Sequence, residues 1–111
     1  MLEDLAGKTA QKILLHLFHY GETYATAVSR DLSTTLGQVQ RQFDRLENSG
    51  LLVSKLSGKT RVYIFNPKSP YTKPFKELIR IDYEGIPLKE REKMFATRRR
   101  PRRRGKPVIK P

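Results

Sequence analysis

The chain has 111 residues, with 23 Lys and Arg against 11 Asp and Glu, which gives a net charge of +12 and a pI near 10.3. This length suits one domain, and so high a pI is typical of proteins that bind a polyanion, whether nucleic acid, an acidic protein or an anionic membrane. The absence of Cys excludes disulfides and thiolate metal sites, and no apolar run approaches the roughly 20 residues of a membrane span.

The positive charge is concentrated at one end of the chain. Eight basic residues and no acidic residue lie between Arg98 and Pro111, and removing these eight charges from +12 leaves +4 for residues 1–97. We therefore expect a folded domain over residues 1–96 and a basic tail over residues 97–111, which has too little apolar surface to fold alone and is expected to be disordered. Residues 1–10 lack a signal-peptide pattern, so a cytoplasmic, nucleoid-associated protein is expected.

Two helices are predicted before residue 33. Apolar residues at helical spacing predict a helix over Lys8–Tyr20, which Gly21 ends. Thr23 is expected to cap a second helix, Tyr24–Leu32, through its hydroxyl.

A third helix is predicted over Leu36–Ser49, after the polar turn Ser33-Thr34-Thr35 and before a C-terminal glycine, Gly50. Its apolar residues form one stripe that should face the core: Leu36, Val39, Phe43 and Leu46.

The periodicity then becomes strand-like from Leu51 to Phe65, with a hairpin turn predicted at Ser57-Gly58-Lys59. Thr72 is expected to cap a helix over Lys73–Glu84. Gly85 should break the chain before a last helix from Pro87 to about Thr97, with Leu88, Arg91, Met94 and Phe95 on one side.

This order of elements, and the string from Ser33 to Phe65, resemble the winged helix-turn-helix regulators, in particular the ArsR-like and MarR-like families. The family pattern is matched at Val39, Arg41, Leu46, Gly50 and Leu51, whereas Phe43 stands where Leu is usual. The resemblance covers roughly residues 8–84. It implies an α+β fold with a three-helix core, a two-stranded β-wing and additional C-terminal helices. It also implies DNA binding as a homodimer.

In such a fold the second helix of the pair enters the major groove. With the apolar stripe turned inward, the outward face of Leu36–Ser49 carries Arg41 and Gln38, with Gln40 at its edge. Arg can hold guanine, and Gln can hold adenine, through two hydrogen bonds each. Gly37 would allow close approach. The remaining candidates contact phosphate at the helix start or further along it: Thr34, Thr35 and Arg45.

Two basic segments supplement this helix. Lys55, Lys59 and Arg61 on the hairpin are either wing contacts to phosphate or the minor groove, or solvated charges. Arg104-Gly105-Lys106-Pro107 resembles the core of an AT-hook, but a nonspecific basic arm that contacts phosphates is favoured. Under either interpretation the tail residues predicted to contact DNA are Arg98, Arg99, Arg100, Arg102, Arg103, Arg104, Gly105 and Lys106.

No cofactor or catalytic residue is predicted, since no recognisable nucleophile–base motif or phosphate loop is present. His16 and His19 have a spacing that could present two metal ligands, but a structural role is favoured, and no metal site is predicted. The expected protein is a dimeric transcriptional repressor that binds double-stranded DNA. The alternatives are an antitoxin or adaptor whose tail binds an acidic protein, and a nonspecific architectural protein. RNA binding is a further alternative, and no membrane partner is expected.

Overall fold

The computed structural model describes residues 1–95, and this part of the chain folds into six helices and a two-stranded antiparallel sheet. The predicted basic tail, residues 97–111, lies outside the described residues. The order is α1 (Leu2–Ala6), α2 (Lys8–Tyr20), α3 (Ala25–Leu32), α4 (Leu36–Asn48), β1 (Leu52–Ser57), β2 (Thr60–Phe65), α5 (Thr72–Gly85) and α6 (Leu88–Met94).

Helix α2 lies at the centre of the core. It contacts α1, α3, α4, α5 and β2, and Ile13, Leu14 and Leu17 are fully buried on it. Their burial is the main stabilising contribution of this helix, at about 1.5–3 kcal/mol for each large apolar side chain removed from water. The other elements converge on α2 with apolar residues that include Val28, Val39, Phe43, Leu52 and Ile79.

The predicted apolar stripe of α4 is confirmed at Val39, Phe43 and Leu46, which are buried, but it is wrong at Leu36, which is 42% exposed. Helical spacing predicts on which side of a helix a residue lies, and not how far along the axis the neighbouring elements extend. Because helical side chains tilt toward the N-terminus, the first residue of α4 points past the end of the helix instead of onto the core.

The predicted start of α4 at Leu36 is confirmed, and the helix ends at Asn48, one residue before the predicted Ser49. Thr35 occupies the N-cap, and its hydroxyl accepts a 3.4 Å hydrogen bond from the Gln38 N–H. Gly50 follows the last turn with φ of 90° and donates its N–H to the Glu47 carbonyl. Glycine is the residue that adopts this left-handed conformation without steric cost.

The predicted cap at Thr23 is wrong. Tyr24 occupies the N-cap of α3 without a side-chain hydrogen bond, because Thr23 is engaged elsewhere. Its hydroxyl is 2.8 Å from His16 Nδ1, and its backbone exchanges hydrogen bonds of 3.1 and 2.8 Å with Tyr63. Thr23 therefore adds a one-residue bridge to the edge of β2.

The hairpin is confirmed, with β1 and β2 paired antiparallel from Leu52 opposite Phe65 to Ser57 opposite Thr60. The turn is the two-residue loop Gly58-Lys59, and Gly58 has φ of 64°. Glycine at the first central position, with positive φ there, is typical of the type II′ turns that match the twist of paired strands.

The segments at both ends differ from prediction. Thr72 does not cap α5: it is the first residue of that helix, and its hydroxyl donates to the Asn66 carbonyl at 2.6 Å. Pro87 lies at the N-cap of α6 and not in its first turn, and the predicted end at Thr97 lies outside the described residues. Helix α1 was not predicted. Leu2 is fully buried there, and its N–H donates to Asp82 Oδ2 at 3.2 Å.

In the part of the chain that the structure describes, the helices are too short or too polar to cross a membrane.

Candidate nucleic-acid interface

The exposed face of α4 carries the residues that the sequence singles out for base contact. Gly37, Gln38, Gln40 and Arg41 are all exposed, and they occupy the first half of the helix. Within residues 1–95, the Arg41 guanidinium has neither a hydrogen-bond partner nor an ion-pair partner. An exposed guanidinium with five unused donors is available for a ligand with paired acceptors.

The side chain of Gln38 is oriented by the turn that precedes α4. Its Oε1 accepts a 3.4 Å hydrogen bond from the Thr34 hydroxyl, while its backbone N–H donates to Thr35. The amide NH₂ thus projects from a side chain that is tethered at its oxygen. Thr35 already uses its hydroxyl as the helix cap, so any phosphate contact that it makes would share that oxygen.

Arg45 makes a contact that the sequence does not predict. Its Nη2 donates to the Ala6 carbonyl at 2.6 Å, at the last residue of α1. Carbonyl groups at a helix C-terminus lack partners within the helix and attract cations. Arg45 therefore joins α4 to α1, and a phosphate contact by Arg45 stays a prediction that would require the guanidinium to serve both acceptors.

The three basic residues of the hairpin, Lys55, Lys59 and Arg61, are all exposed. Lys59 lies in the turn. Arg61 is oriented, because its Nη1 donates to Ser54 Oγ at 3.0 Å and the Ser54 hydroxyl donates to Glu47 Oε2 at 2.7 Å. This chain of hydrogen bonds joins the hairpin to the C-terminal half of α4.

An aromatic contact also packs the hairpin against α4. The rings of Phe43 and Tyr63 are stacked, with centroids 4.0 Å apart and planes 12° apart. Both residues are buried. Burial raises the pKa of the Tyr63 phenol, and the carboxylates of Glu47 and Asp44 raise it further. Tyr63 is therefore uncharged at neutral pH, as its place in the core requires.

No protein-family model matches the sequence, and no curated protein is significantly similar to it. Among solved structures, the crystal structure of a MepR-like protein complexed with pseudoligands superposes with a TM-score of 0.53 at 19% identity. The superposition covers 85% of this chain and 73% of that chain. The fold is a winged helix. The predicted fold class is thus confirmed: α3 and α4 occupy the helix-turn-helix positions of the fold, and the β1–β2 hairpin is the wing.

A buried polar network supports this winged helix. His16 on α2 lies between Asp31 on α3 and Thr23 beside the wing, with 2.8 Å between Nε2 and Asp31 Oδ2 and 2.8 Å between Nδ1 and Thr23 Oγ1. The His16 and Asp31 side chains are only 3% and 1% exposed. Arg30 contacts the same carboxylate at 3.1 Å, and its hydrogen bond to Asp31 raises the Arg30 pKa.

No local pattern in the sequence predicts this network, because Thr23 and Asp31 lie 7 and 15 residues from His16 and outside its helix. The structural role favoured for His16 agrees with its buried contacts to Asp31 and Thr23. His19, in contrast, stacks on Phe95 with centroids 4.1 Å apart and contacts the Tyr83 hydroxyl at 2.7 Å. The two imidazoles thus face different partners, and residues 1–95 bring no three His, Asp or Glu side chains together in a metal-binding geometry.

The end of α6 is fixed beside this network. Phe95 is buried, its ring contacts those of His16, His19 and Tyr20, and its carbonyl accepts a 3.0 Å hydrogen bond from the Tyr20 hydroxyl. The predicted DNA contacts from Arg98 to Lys106 lie beyond Phe95, outside the described residues.

Proposed function

We propose that the protein binds double-stranded DNA sequence-specifically and regulates transcription, with α4 in the major groove. The observation that carries this proposal is the exposed first half of the recognition helix. It presents an unpartnered Arg41, a tethered Gln38 and a side-chain-free position at Gly37. A major groove about 12 Å wide accommodates one helix, and the N-terminal residues of a recognition helix contact base edges there.

The roles of the two readers follow from their chemistry. Arg41 would donate to O6 and N7 of a guanine, and the free NH₂ of Gln38 would donate to an acceptor such as N7 of an adenine. Because the Gln38 oxygen is already hydrogen bonded to Thr34, the side chain presents a donor to the base. Gln40, on the edge of the same face, would contact a neighbouring base or phosphate.

The absence of packing around Gly37 supports close approach of DNA. A Cβ added to Gly37 would meet no atom within 4 Å, and its φ is not in the left-handed region. Neither the core nor the backbone conformation therefore requires glycine there. In a helix interior, glycine costs about 0.5–1 kcal/mol relative to alanine, so a ligand-side reason is favoured over a structural one.

Contacts to phosphate would supply most of the sequence-independent affinity. The wing cations Lys55, Lys59 and Arg61 would lie along the neighbouring backbone or minor groove, while Thr34 and Thr35 would contact a phosphate at the start of α4. The basic tail would add eight positive charges. Each neutralised phosphate makes binding more sensitive to salt.

We further propose that two copies bind together and repress transcription by occupying a promoter. Support comes from large apolar side chains that α1 and α5 leave exposed, namely Leu5 and Ile81. A two-fold dimer would place two recognition helices on half-sites one helical turn apart, about 34 Å. Light scattering of the full chain with and without duplex tests this. A monomer that keeps full affinity for a palindromic site would contradict it.

The test of the DNA-binding proposal is selection from a pool of random duplexes at about 150 mM salt, where backbone attraction is partly screened. Enrichment of a motif supports the proposal. Arg41→Ala should then lower affinity for the motif by about 1–3 kcal/mol and relax specificity at one base pair. Lys89→Ala, which removes the same charge from the exposed surface of α6, is the matched control and should leave specificity unchanged.

Other outcomes of the same experiment favour the other functions. Binding without an enriched motif would favour an architectural protein, and a preference for A-form duplexes would favour RNA. Weak binding to every nucleic acid, together with an acidic protein that copurifies with the chain, would favour the adaptor or antitoxin role.

A further inference from the structure

Leu36 is an apolar residue on the exposed surface of the recognition helix. It is the first residue of α4 and is 42% exposed, while Val39 and Phe43, on the same side of the helix, are fully buried. No other large apolar side chain of α4 is exposed. The helix therefore presents one apolar group, and it presents it at its N-terminal end.

The position of Leu36 in the first turn of α4, more than its exposure, indicates a role in base contact. Single exposed leucines are common on protein surfaces. Leu36, however, directly follows the cap Thr35 and shares the first turn with Gly37 and Gln38, which are also exposed. The first turn of a recognition helix is the part that reaches base edges in the major groove. A side chain at this point meets bases before it meets the phosphate backbone.

The floor of the major groove offers one apolar group to such a side chain. Guanine, cytosine and adenine present hydrogen-bond donors and acceptors, whereas thymine also presents its C5 methyl group. Leucine can neither donate nor accept a hydrogen bond, so a polar base edge would lose water against it without compensation. A thymine methyl group and the Leu36 side chain would instead both be removed from water, which is favourable for two apolar groups.

We propose that Leu36 is a specificity-determining residue that recognises a thymine through its C5 methyl group. This inference rests on the DNA-binding function proposed above and assigns part of its sequence preference. It places the thymine beside the base or phosphate contacted by Gln40, because residues four apart lie on the same side of a helix. Leu36 would thereby discriminate against cytosine, which has no methyl group at C5.

The experiment removes the methyl group from the DNA and the apolar side chain from the protein in turn. Each thymine of the selected duplex is replaced singly by deoxyuridine, which lacks only the C5 methyl. The dissociation constants are then measured for the wild-type chain, for Leu36→Ala and for Leu88→Ala. Leu88 is the matched control, since it is a 62% exposed leucine on α6, away from the recognition helix.

At one thymine, the wild-type chain should bind the deoxyuridine duplex about fourfold more weakly, as expected for the loss of one buried methyl group. Leu36→Ala should bind the thymine and deoxyuridine duplexes equally at that position, while Leu88→Ala should keep the difference. Circular dichroism spectra of the two variants should match that of the wild-type chain.

Equal binding of every deoxyuridine duplex by the wild-type chain would overturn the role of Leu36, although the selected motif would still support DNA binding. A thymine preference that persists in Leu36→Ala would overturn it as well. If the selection enriches no motif, the function on which the inference rests is itself refuted, and the inference falls with it.

Discussion

The ring of Phe43 in α4 stacks on the ring of Tyr63 in the wing, with their centroids 4.0 Å apart. Tyr63 in turn exchanges two backbone hydrogen bonds with Thr23, whose hydroxyl contacts His16 in the core. This aromatic pair therefore contributes to the orientation of the wing relative to α4, and it is connected to the buried network.

Replacing Phe43 by leucine, the residue usual in the resembling families, tests this pair. The Phe43→Leu variant should lose about 0.5–1.5 kcal/mol of unfolding free energy, because an aromatic pair contributes this much beyond the area that it buries. Urea denaturation measures the loss. Tyr63→Phe keeps the stacked rings and serves as the control, with an expected change below about 0.5 kcal/mol. Equal stability of Phe43→Leu and the wild-type chain would show that the stacking contributes nothing.

A second prediction, with a larger expected loss of stability, concerns the buried carboxylate of Asp31. Asp31→Ala removes the buried carboxylate that contacts both His16 and Arg30. It should lower the unfolding free energy by about 1–3 kcal/mol, the cost of leaving a buried polar group without its hydrogen-bond partner. Asp44→Ala removes an exposed carboxylate from α4 and should change stability by less than about 0.5 kcal/mol. A small effect at Asp31, similar to that at Asp44, would mean that water replaces the carboxylate in the core.

Gly37→Ala should separate folding from binding. The added methyl group meets no atom in the free protein, so alanine should raise the unfolding free energy by about 0.5–1 kcal/mol. The same methyl group should weaken DNA binding by about 1–3 kcal/mol, because it overpacks a close contact. Gly85→Ala on α5 adds a methyl group in equally open space and should leave binding unchanged. Unaltered affinity of Gly37→Ala would mean that DNA does not approach this position closely.

Features that depend on residues close together in the chain were predictable, whereas contacts between distant residues were not. The bounds of α2, the polar turn before α4, the glycine after α4 and the hairpin turn follow from residues close together in the chain, and the structure has them all. Thr23 and Thr72 were misassigned because a threonine that could cap a helix can also bond to a distant group, here His16 and the Asn66 carbonyl. Sequence spacing carries no information about such partners.

Only part of the candidate interface could be predicted from the sequence. The exposed residues of α4 follow from the helical wheel, because the wheel depends only on the periodicity of that helix. The contact between Arg45 and Ala6 could not be predicted, since it requires a helix, α1, that carries too few residues for a periodic signal. The exposure of Leu36 escaped prediction because the wheel contains no information about where the core ends along the helix axis.

Deleting residues 98–111 should weaken binding to all duplexes alike and make the affinity less sensitive to salt. The slope of log affinity against log salt should fall in magnitude by about 0.9 for each phosphate that the deleted cations neutralise. Titrations at several salt concentrations, with the selected duplex and with a random duplex, measure both effects. Phe95→Ala in the full chain offers a comparison that keeps all the charges. Because it removes no cation, it should lower affinity less than deletion does.

The two interpretations of the tail give different results in this experiment. If the tail is a nonspecific arm, its deletion should weaken binding to every duplex equally, because phosphates are the same in all sequences. An AT-hook centred on Arg104-Gly105-Lys106-Pro107 would instead lose affinity mainly for duplexes with A·T-rich flanks, whose narrow minor groove has an enhanced negative potential. If deletion changes neither the affinity nor the salt slope, the tail does not contact DNA, and its eight charges would then have to be explained by a different, acidic partner.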